Sequence, residues 1–278
     1  MKKYSLVLIA LFIFSATSAQ KKEKIKGSKF VSVTQRKMEE FNTLEVEDNL
    51  EVFLVKGEIA GIEIEADDNV HDAIQADLNA STLRLYTSKQ IVRTKQLSVR
   101  VTYTENLQSI TTHNEVILNA LANLEVSNIS IKNLDDSQSF LNIRVDSFTF
   151  AMDDKSHAEI NVKAENTIIE LSKNAELKAL IASPTTKIDM YQKTEAEIEG
   201  DTDNLLLRID NEAAYTGEKF TAKNLQLTAE AFTSCSINAK DNVTVSASGE
   251  AEIELYGSPA AINITKFTNT ATLHKKDL

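Results

Sequence analysis

Cysteine, proline, glycine and tryptophan are scarce in this 278-residue sequence, which contains one, two, seven and none of them respectively. The single cysteine, Cys235, excludes both an intramolecular disulfide and a paired-cysteine zinc site. Cys235 stands two positions before Ile237, on the same face of a strand, which predicts a buried and unreactive thiol. With so little proline and glycine, the turns must rely on Asn, Asp, Ser and Lys.

The sequence also lacks the motifs of common catalytic and metal sites. It has no Gly-x-Ser-x-Gly elbow, no glycine-rich phosphate loop and no His-Glu-x-x-His pair. Its four histidines are not spaced as metal ligands, and we expect them at the surface: His71, His113, His157 and His274. We therefore predict a protein that is not an enzyme, with no catalytic, cofactor-binding or metal-binding residues and no cofactor.

Adjacent carboxylates keep one enzymatic alternative open, a polysaccharide-active enzyme. Three pairs are present, namely Asp67-Asp68, Asp135-Asp136 and Asp153-Asp154. Adjacent strand residues point to opposite faces, so such a pair cannot hold one metal ion unless it lies in a turn. A groove that collects carboxylates with Lys or Arg would favour this alternative.

The first nineteen residues have the pattern of a secretory signal peptide. Lys2 and Lys3 precede the apolar run 6–14, and the small residues 17–19 follow it. That run is too short to span a membrane, and the mature chain contains no membrane-spanning segment. We expect an exported protein located in the periplasm, on the outer-membrane surface or outside the cell.

Charge argues against nucleic acid as a partner. Without the two lysines of the predicted signal, 28 basic and 41 acidic residues remain, a net charge of −13. Nucleic acids and anionic membranes both require clustered Lys and Arg. Five lysines do cluster within residues 21–29, and we interpret residues 20–40 as a basic mobile leader before a single domain, 41–278.

Alternation of apolar and polar residues dominates from Phe41 onward and predicts an all-β domain. A short helical turn is plausible only near residues 69–80. In the second half, an Ala-Glu-Ile-like tripeptide recurs, beginning at Ala158, Ala175, Ala196 and Ala251. Its spacing fits coils of about 19 residues and so predicts a right-handed β-helix, or solenoid, of stacked coils. A β-sandwich is the alternative, since it also has short alternating strands.

Asparagine marks a second recurring position. It precedes apolar strands at Asn204, Asn224 and Asn242, in steps of 20 and 18 residues, and also at Asn106 and Asn123. We expect a corner of successive coils here, because Asn tolerates left-handed backbone conformations.

The glutamate of the recurring tripeptide faces outward, because its apolar neighbours face the core. Glu159, Glu176 and Glu197 could then form a ladder on consecutive coils. One interpretation is a cation-binding or ligand-binding stripe. The other, which we favour, is a solvated face whose like charges discourage aggregation.

Three segments together resemble the head GIN domain family, autotransporter adhesin-like proteins of Gram-negative bacteria. They are the opening Phe41-Asn-Thr-Leu-Glu-Val46, the later Ala66-Asp-Asp-Asn69 followed by Leu83-Arg-Leu85, and the closing run from Ser248-Gly249 to Gly257-Ser-Pro259. The resemblance implies a right-handed β-helical fold and an envelope location. Gly-Ser-Gly-like turns usual in the family are replaced here by runs such as Lys155-Ser-His-Ala and Lys193-Thr-Glu-Ala.

These observations predict a non-enzymatic envelope protein that presents a β-helical surface to a glycan or an envelope protein. A structural or envelope-sensing module with a protein partner is the alternative, which an exposed apolar patch or an uncapped solenoid end would favour. The sequence predicts neither ligand-binding residues nor an oligomeric state.

Overall fold

A computed structural model describes residues 22–277, so the predicted signal peptide lies outside the described residues. The protein is 67% strand and 2% helix, and forms a β-solenoid of about nine turns of ~19 residues. Strands of successive coils pair in parallel and in register, as in Gln138↔His157↔Glu176. Parallel stacking confirms the predicted solenoid and shows that the β-sandwich alternative is wrong.

Each regular coil contributes one strand to a front face and one to a back face. Along the front face lie β10 (Ser109–Thr112), β12 (Asn128–Asn133), β14 (Ser147–Met152), β16 (Asn166–Leu171) and β18 (Thr185–Tyr191). Along the back face lie β11 (Ile117–Glu125), β13 (Gln138–Arg144), β15 (His157–Lys163) and β17 (Glu176–Ala182). Three long strands then turn from the back face to the front face: β19 (Glu195–Asp210), β20 (Ala214–Ala229) and β21 (Ser234–Ala247). The last strands are β22 (Glu252–Gly257) and β24 (Thr272–Lys275) on the back and β23 (Ala261–Phe267) on the front.

Side-chain alternation places the core inside the coils. In β15, Ala158, Ile160 and Val162 are buried, while Glu159 and Asn161 face outward. The in-register pairing stacks buried residues on buried residues, for example Val162 on Ile181. Coils about 4.8 Å apart thus form one continuous apolar interior.

Front and back strands meet at a corner where one or two residues per coil adopt a positive φ. The glycine-poor sequence makes these turns with the single residues Asn114, Asp135, Asp154, Lys173, Ala231, Gly249 and Asn269, and with the pairs Gln192-Lys193 and Asn211-Glu212. Just after this corner, the inward residue is Val116 in the coil of Asn114 and a small residue in the seven coils that follow: Ser137, Ser156, Ala175, Thr194, Ala213, Thr233 and Ala251. Small inward residues leave room for the chain to reverse, which explains why Gly-Ser-Gly turns can be replaced.

The recurring tripeptide occupies two registers rather than one. Ala158 stacks on Leu177, and Leu177 on Ala196, whereas Ala175 lies two residues earlier in its coil. A shift of two residues leaves each side chain on the same side of the strand, because strand side chains alternate with period two. The spacing of the tripeptides therefore predicts the correct coil length, although the tripeptides of successive coils do not all stack on one another.

The asparagines predicted at a corner form a side-chain ladder. Asn224 donates to the Oδ1 of Asn204 at 3.2 Å, and Asn242 donates to the Oδ1 of Asn224 at 2.8 Å. All three lie within strands, and left-handed residues occupy the opposite corner instead. Asn106 and Asn123 fall outside this column. The predicted repeat is confirmed, but its physical reason is amide-to-amide hydrogen bonding.

The first part of the domain adds coils in an order that departs from the sequence. On the front face β6 (Ile74–Asn79), β7 (Thr82–Thr87) and β3 (Thr43–Val46) lead to β10. On the back face β2 (Val31–Lys37), β5 (Gly61–Asp67), β9 (Leu97–Tyr103) and β4 (Glu51–Lys56) lead to β11. The strands β1 (Lys24–Lys26) and β8 (Gln90–Val92) form a separate pair. A 3₁₀ helix spans Asp68–Ala73, so the predicted helical turn is shorter than residues 69–80 and β6 replaces its second half.

We call β1, β2, β5, β6, β8 and the 3₁₀ helix the cap. Residues 22–37, which we expected to belong to a mobile leader, instead supply β1 and β2. β2 pairs antiparallel with β5 over all seven of its residues. The alternating pattern of β2 is weak because most of its side chains are exposed, which is why the sequence did not predict it.

A buried carboxylate and a buried imidazole hold the cap together. Asp67 accepts hydrogen bonds from the backbone N–H groups of Lys29 at 2.8 Å, Lys95 at 3.0 Å and Gln96 at 3.1 Å. Burial raises the pKa of Asp67, but these donors and the charge of Lys29 outweigh it, so the pKa lies below its ordinary value. His71, expected at the surface, is buried and bonds to the hydroxyls of Ser32 at 3.0 Å and Thr34 at 3.2 Å.

Candidate functional site

The predicted glutamate ladder does not exist as one stripe. Glu159 stacks on Lys178, and Lys178 stacks on Glu197, so charges alternate in this column. Glu176 belongs to a neighbouring column, between His157 and Glu195. The ring nitrogens of His157 lie 3.7 Å from carboxylate oxygens of both Glu159 and Glu176. The prediction of consecutive glutamates is wrong because the tripeptides occupy two registers.

A bulge in β11 interrupts the back face. Its coil is two residues longer than its neighbours, and the register shifts between Ala120 and Asn123. The looped-out Leu121 is 75% exposed. Asn142 on the next coil fixes the bulge by donating its side-chain amide to the carbonyl of Leu121 at 3.1 Å. The two extra residues thus form a raised wall on a flat sheet.

Beside this wall lies a groove of about 470 Å³, which we call the back-face groove. Phe140, Leu121 and Leu180 supply its apolar surface, and Asn161 supplies an amide. Phe140 is half-buried, and Leu180 is exposed although it belongs to a strand. The groove crosses four coils, from the strand of Phe140 to that of Glu197, a span of about 14 Å at normal strand spacing.

Charged side chains line the same groove. Glu159, Lys178, Glu197 and Glu199 contribute to its walls. Glu199 is paired with Lys219 at 2.8 Å, whereas Lys178 forms no ion pair with any residue in the range 22–277. Asn161 likewise forms no side-chain hydrogen bond there. The back-face groove therefore combines an aromatic ring and two leucines with polar groups that are free to bind a ligand.

A second groove, of about 620 Å³, lies on the front face along the asparagine ladder. Ile168 and Leu206 are its exposed apolar residues. Its amides at Asn204, Asn224 and Asn242 are bonded to one another, as described above. This groove has no aromatic lining residue, and its one lysine, Lys187, is paired with Asp189.

The remaining candidate residues have structural surroundings. Among residues 22–277, no cluster of three His, Cys, Asp or Glu side chains could hold a metal ion. Lys173 bridges Asp153 at 3.0 Å and Asp154 at 2.8 Å, and these bonds raise the pKa of Lys173. His113 lies 3.6 Å from Asp135 in another turn. These carboxylate pairs make turn contacts and do not meet in the back-face groove.

Cys235 lies inside the solenoid, as predicted. Burial raises the pKa of its thiol to about 12, so it stays protonated at neutral pH. The neighbouring Tyr215, one coil earlier in the same column, is also buried. Cys235 is therefore a core residue and takes no part in a surface site.

Comparison with known proteins agrees with the solenoid geometry. The family model described as "Putative auto-transporter adhesin, head GIN domain" matches residues 40–259. The chain belongs to the head GIN domain family. This confirms the resemblance carried by Phe41–Val46 and by the closing Gly257-Ser-Pro259 segment. The sequence matches no curated protein.

Solved structures of other bacterial proteins share the fold of this head GIN domain chain. A putative adhesin from Parabacteroides merdae aligns with a TM-score of 0.63 at 13% identity, over 91% of this chain and 99% of its own. A putative lipid binding protein from Parabacteroides distasonis has a TM-score of 0.63 at 12% identity, over 91% and 100%. A putative adhesin from Bacteroides fragilis has a TM-score of 0.53 at 15% identity, over 91% and 100%. At such identities the likeness establishes the fold alone.

None of the helical structure within residues 22–277 is long and apolar enough to cross a membrane. The single helix described is the six-residue 3₁₀ helix of the cap. The candidate site therefore lies on the strand faces.

The back-face groove was not predicted from the sequence. The only sequence feature that could have indicated it is the length of the coil containing Leu121.

Proposed function

We propose that this head GIN domain protein is an exported, non-enzymatic adhesin that binds a glycan of the cell envelope in the back-face groove. The observation that carries the proposal is the juxtaposition of Phe140, Leu121 and Leu180 with the unpaired Lys178 and Asn161. The C–H face of a sugar ring packs on an aromatic or aliphatic surface, and its hydroxyls bond to amides, carboxylates and ammonium groups. An extended glycan of several sugar units fits a groove that crosses four coils.

Lipid is a less suitable ligand for this groove. The structural relative from Parabacteroides distasonis is described as a putative lipid binding protein. Here the groove lies on an outer strand face and has four charged side chains in its walls. Acyl chains favour sites that enclose most of their surface, whereas this groove is open to solvent and has charged side chains in its walls.

Catalysis on a polysaccharide is also disfavoured. The back-face groove does collect carboxylates around Lys178, which is the arrangement that the enzymatic alternative requires. However, Glu159 and Glu197 lie on either side of Lys178 in an outward column of an open face. A pair of catalytic groups usually acts in a site that excludes water and shifts their pKa values. Binding of a sugar, rather than its cleavage, fits these exposed groups.

A glycan array tests the proposal directly. The labelled protein should give a saturable signal on a defined glycan, and Phe140→Ala should weaken that binding about tenfold. Leu180→Ala should weaken it less, because this side chain is only one wall of the groove. Leu206→Ala is the matched control, since Leu206 is a similarly exposed leucine on the front face.

Folding must be checked for each variant by circular dichroism and thermal melting. A folded wild-type protein that binds no glycan on the array would refute the proposal. Equal loss of binding in Leu180→Ala and Leu206→Ala would also refute it, because the effect would then not belong to the back-face groove.

A further inference from the structure

The far end of the solenoid is open. The final coil, residues 261–275, which we call the terminal coil, pairs with β21 and β22 on one side only. No described residue pairs with its other side. All seven residues of β23 are exposed. Both sheets therefore end in rows of unpaired backbone N–H and C=O groups at the same end of the molecule.

Core-facing side chains are uncovered at this end. Ile262 stacks on the buried Val243, and Ile264 stacks on the buried Val245. They continue the interior rows, yet Ile262 is 49% and Ile264 is 52% exposed. Phe267, above the buried Ala247, is also exposed. The apolar interior of the solenoid is thus open to an incoming strand.

The charge of this end differs from the rest of the chain. Residues 255–276 contain no Asp or Glu, although the whole sequence has 41 of them. The same stretch contains Lys266, Lys275 and Lys276, and of these Lys276 is paired with Glu254 at 3.1 Å. Lys275 occupies an inward column, because it stacks directly on the buried Leu255. An inward lysine on an edge strand repels a second lysine and selects for a carboxylate.

These features together restrict which kind of molecule can bind at the terminal coil. A lipid surface would leave the unpaired backbone groups of β23 and β24 without partners, which is costly in hydrocarbon. A second copy meeting end to end would bring together two basic ends, each carrying Lys266 and Lys275. A strand that alternates apolar residues with Glu or Asp satisfies the backbone groups, covers Ile262 and Ile264, and pairs with Lys275.

We propose that the terminal coil is a docking site for an acidic, alternating β-strand of a partner polypeptide. The strand adds to β23 and β24 and continues the solenoid by one coil. Lys275 is its specificity determinant, because it disfavours self-association and favours a partner carboxylate. This site is separate from the back-face groove and does not depend on glycan binding.

A synthetic peptide with the sequence of residues 195–210 serves as the probe. Its first five residues alternate Glu with Ala and Ile, and it also contains three Asp residues; it has the length of a full back-to-front strand and belongs to this chain's own β19. The control peptide has the same sequence with every Glu and Asp replaced by Gln and Asn. Fluorescence anisotropy of the labelled peptides with the full-length protein measures binding.

The acidic peptide should bind in a saturable way, and the amide peptide should bind about tenfold more weakly. Lys275→Glu should abolish the preference for the acidic peptide, whereas Lys275→Arg should retain it. Ile264→Ser should weaken both peptides, and Lys155→Glu, a charge reversal at a remote turn, should change neither.

Three outcomes would overturn the proposal. The first is absence of saturable binding of the acidic peptide, and the second is equal binding of both peptides. In the third, sedimentation equilibrium shows that the wild-type protein associates with itself through this end, so that Ile264→Ser restores the monomer. Circular dichroism of each variant confirms that the remaining coils are folded.

Discussion

The two ends of the solenoid differ in how their terminal coils are covered. At the cap, chain order is rearranged so that β2 and β5 run antiparallel and the 3₁₀ helix packs beside them. Asp67 and His71 are buried there and bond to the backbone and hydroxyls of segments distant in sequence. At the terminal coil the regular pattern simply stops, and its core-facing isoleucines are half exposed.

This difference shows what a repeating coil does not supply by itself. Each coil contacts only its neighbours, so the interior is stable wherever a coil lies on both sides. The first coil needs an irregular cap to cover its core side, and this chain provides one. At the other end the same requirement is unmet within residues 22–277, which is the basis of the docking proposal.

Two inward-facing isoleucines, one at each end of the solenoid, give the largest expected difference in stability. Ile64 in the cap strand β5 is fully buried, whereas Ile264 in β23 is 52% exposed. We expect Ile64→Ala to lower the free energy of unfolding by about 3–4 kcal/mol and Ile264→Ala by less than about 1 kcal/mol. Urea unfolding of both variants measures the difference. Equal decreases in the free energy of unfolding would mean that the terminal coil is covered in solution.

Low pH should destabilise the cap but not the terminal coil. The folded-state pKa of Asp67 is depressed, so its carboxylate stabilises the fold above the ordinary pKa of 3.8. That stabilisation is lost as the pH falls through the folded-state pKa, below 3.8. The protection factors of the backbone amides near residues 27–30 and 94–96, measured by hydrogen exchange and corrected for the intrinsic pH dependence of the exchange rate, should therefore fall below this pH, before those in β21 change.

Asp67→Asn is the control for this acid effect, since an amide does not titrate in this range. The variant should be less stable at neutral pH, and the protection factors near residues 27–30 should no longer fall as the pH drops below 3.8. If the wild-type protection factors in this segment were independent of pH down to complete unfolding, Asp67 would not be the group that holds the cap.

The smallest expected change in stability concerns the asparagine ladder. Asn224 bonds to a partner on each side, whereas Asn263 in the terminal coil makes no side-chain hydrogen bond within the described chain. Asn224→Ala should cost about 0.5–1 kcal/mol of stability, and Asn263→Ala should be close to neutral. Thermal melting of the pair checks this. A neutral Asn224→Ala would show that the exposed ladder contributes nothing beyond what water supplies.

The regular coils could be predicted from sequence because their information is local. Alternation in segments such as Ala158–Val162 fixes which side chains face inward, and the spacing of Asn204, Asn224 and Asn242 fixes the coil length. The cap could not be predicted in the same way. Its strand β2 has little alternation, and the contacts of Asp67 join segments 28 to 38 residues apart.

The candidate site depends on register, which the sequence patterns did not determine. A shift of two residues preserves the inward and outward pattern, so Glu159 and Glu176 seemed to share a column although they do not. The back-face groove arises where one coil is two residues too long, at Leu121. Neither Phe140 nor Leu180 could be assigned to one surface until the coils were aligned.

Hydrogen–deuterium exchange in the presence of a glycan selected on the array tests the central claim most directly. The account predicts slower exchange in residues 119–123 of the bulge and in β13 and β15 when the groove is occupied. The front-face strands β16 and β18, and the terminal coil, should exchange as in the free protein. Protection of the front face or of the terminal coil, with no change at the bulge, would contradict glycan binding in the back-face groove.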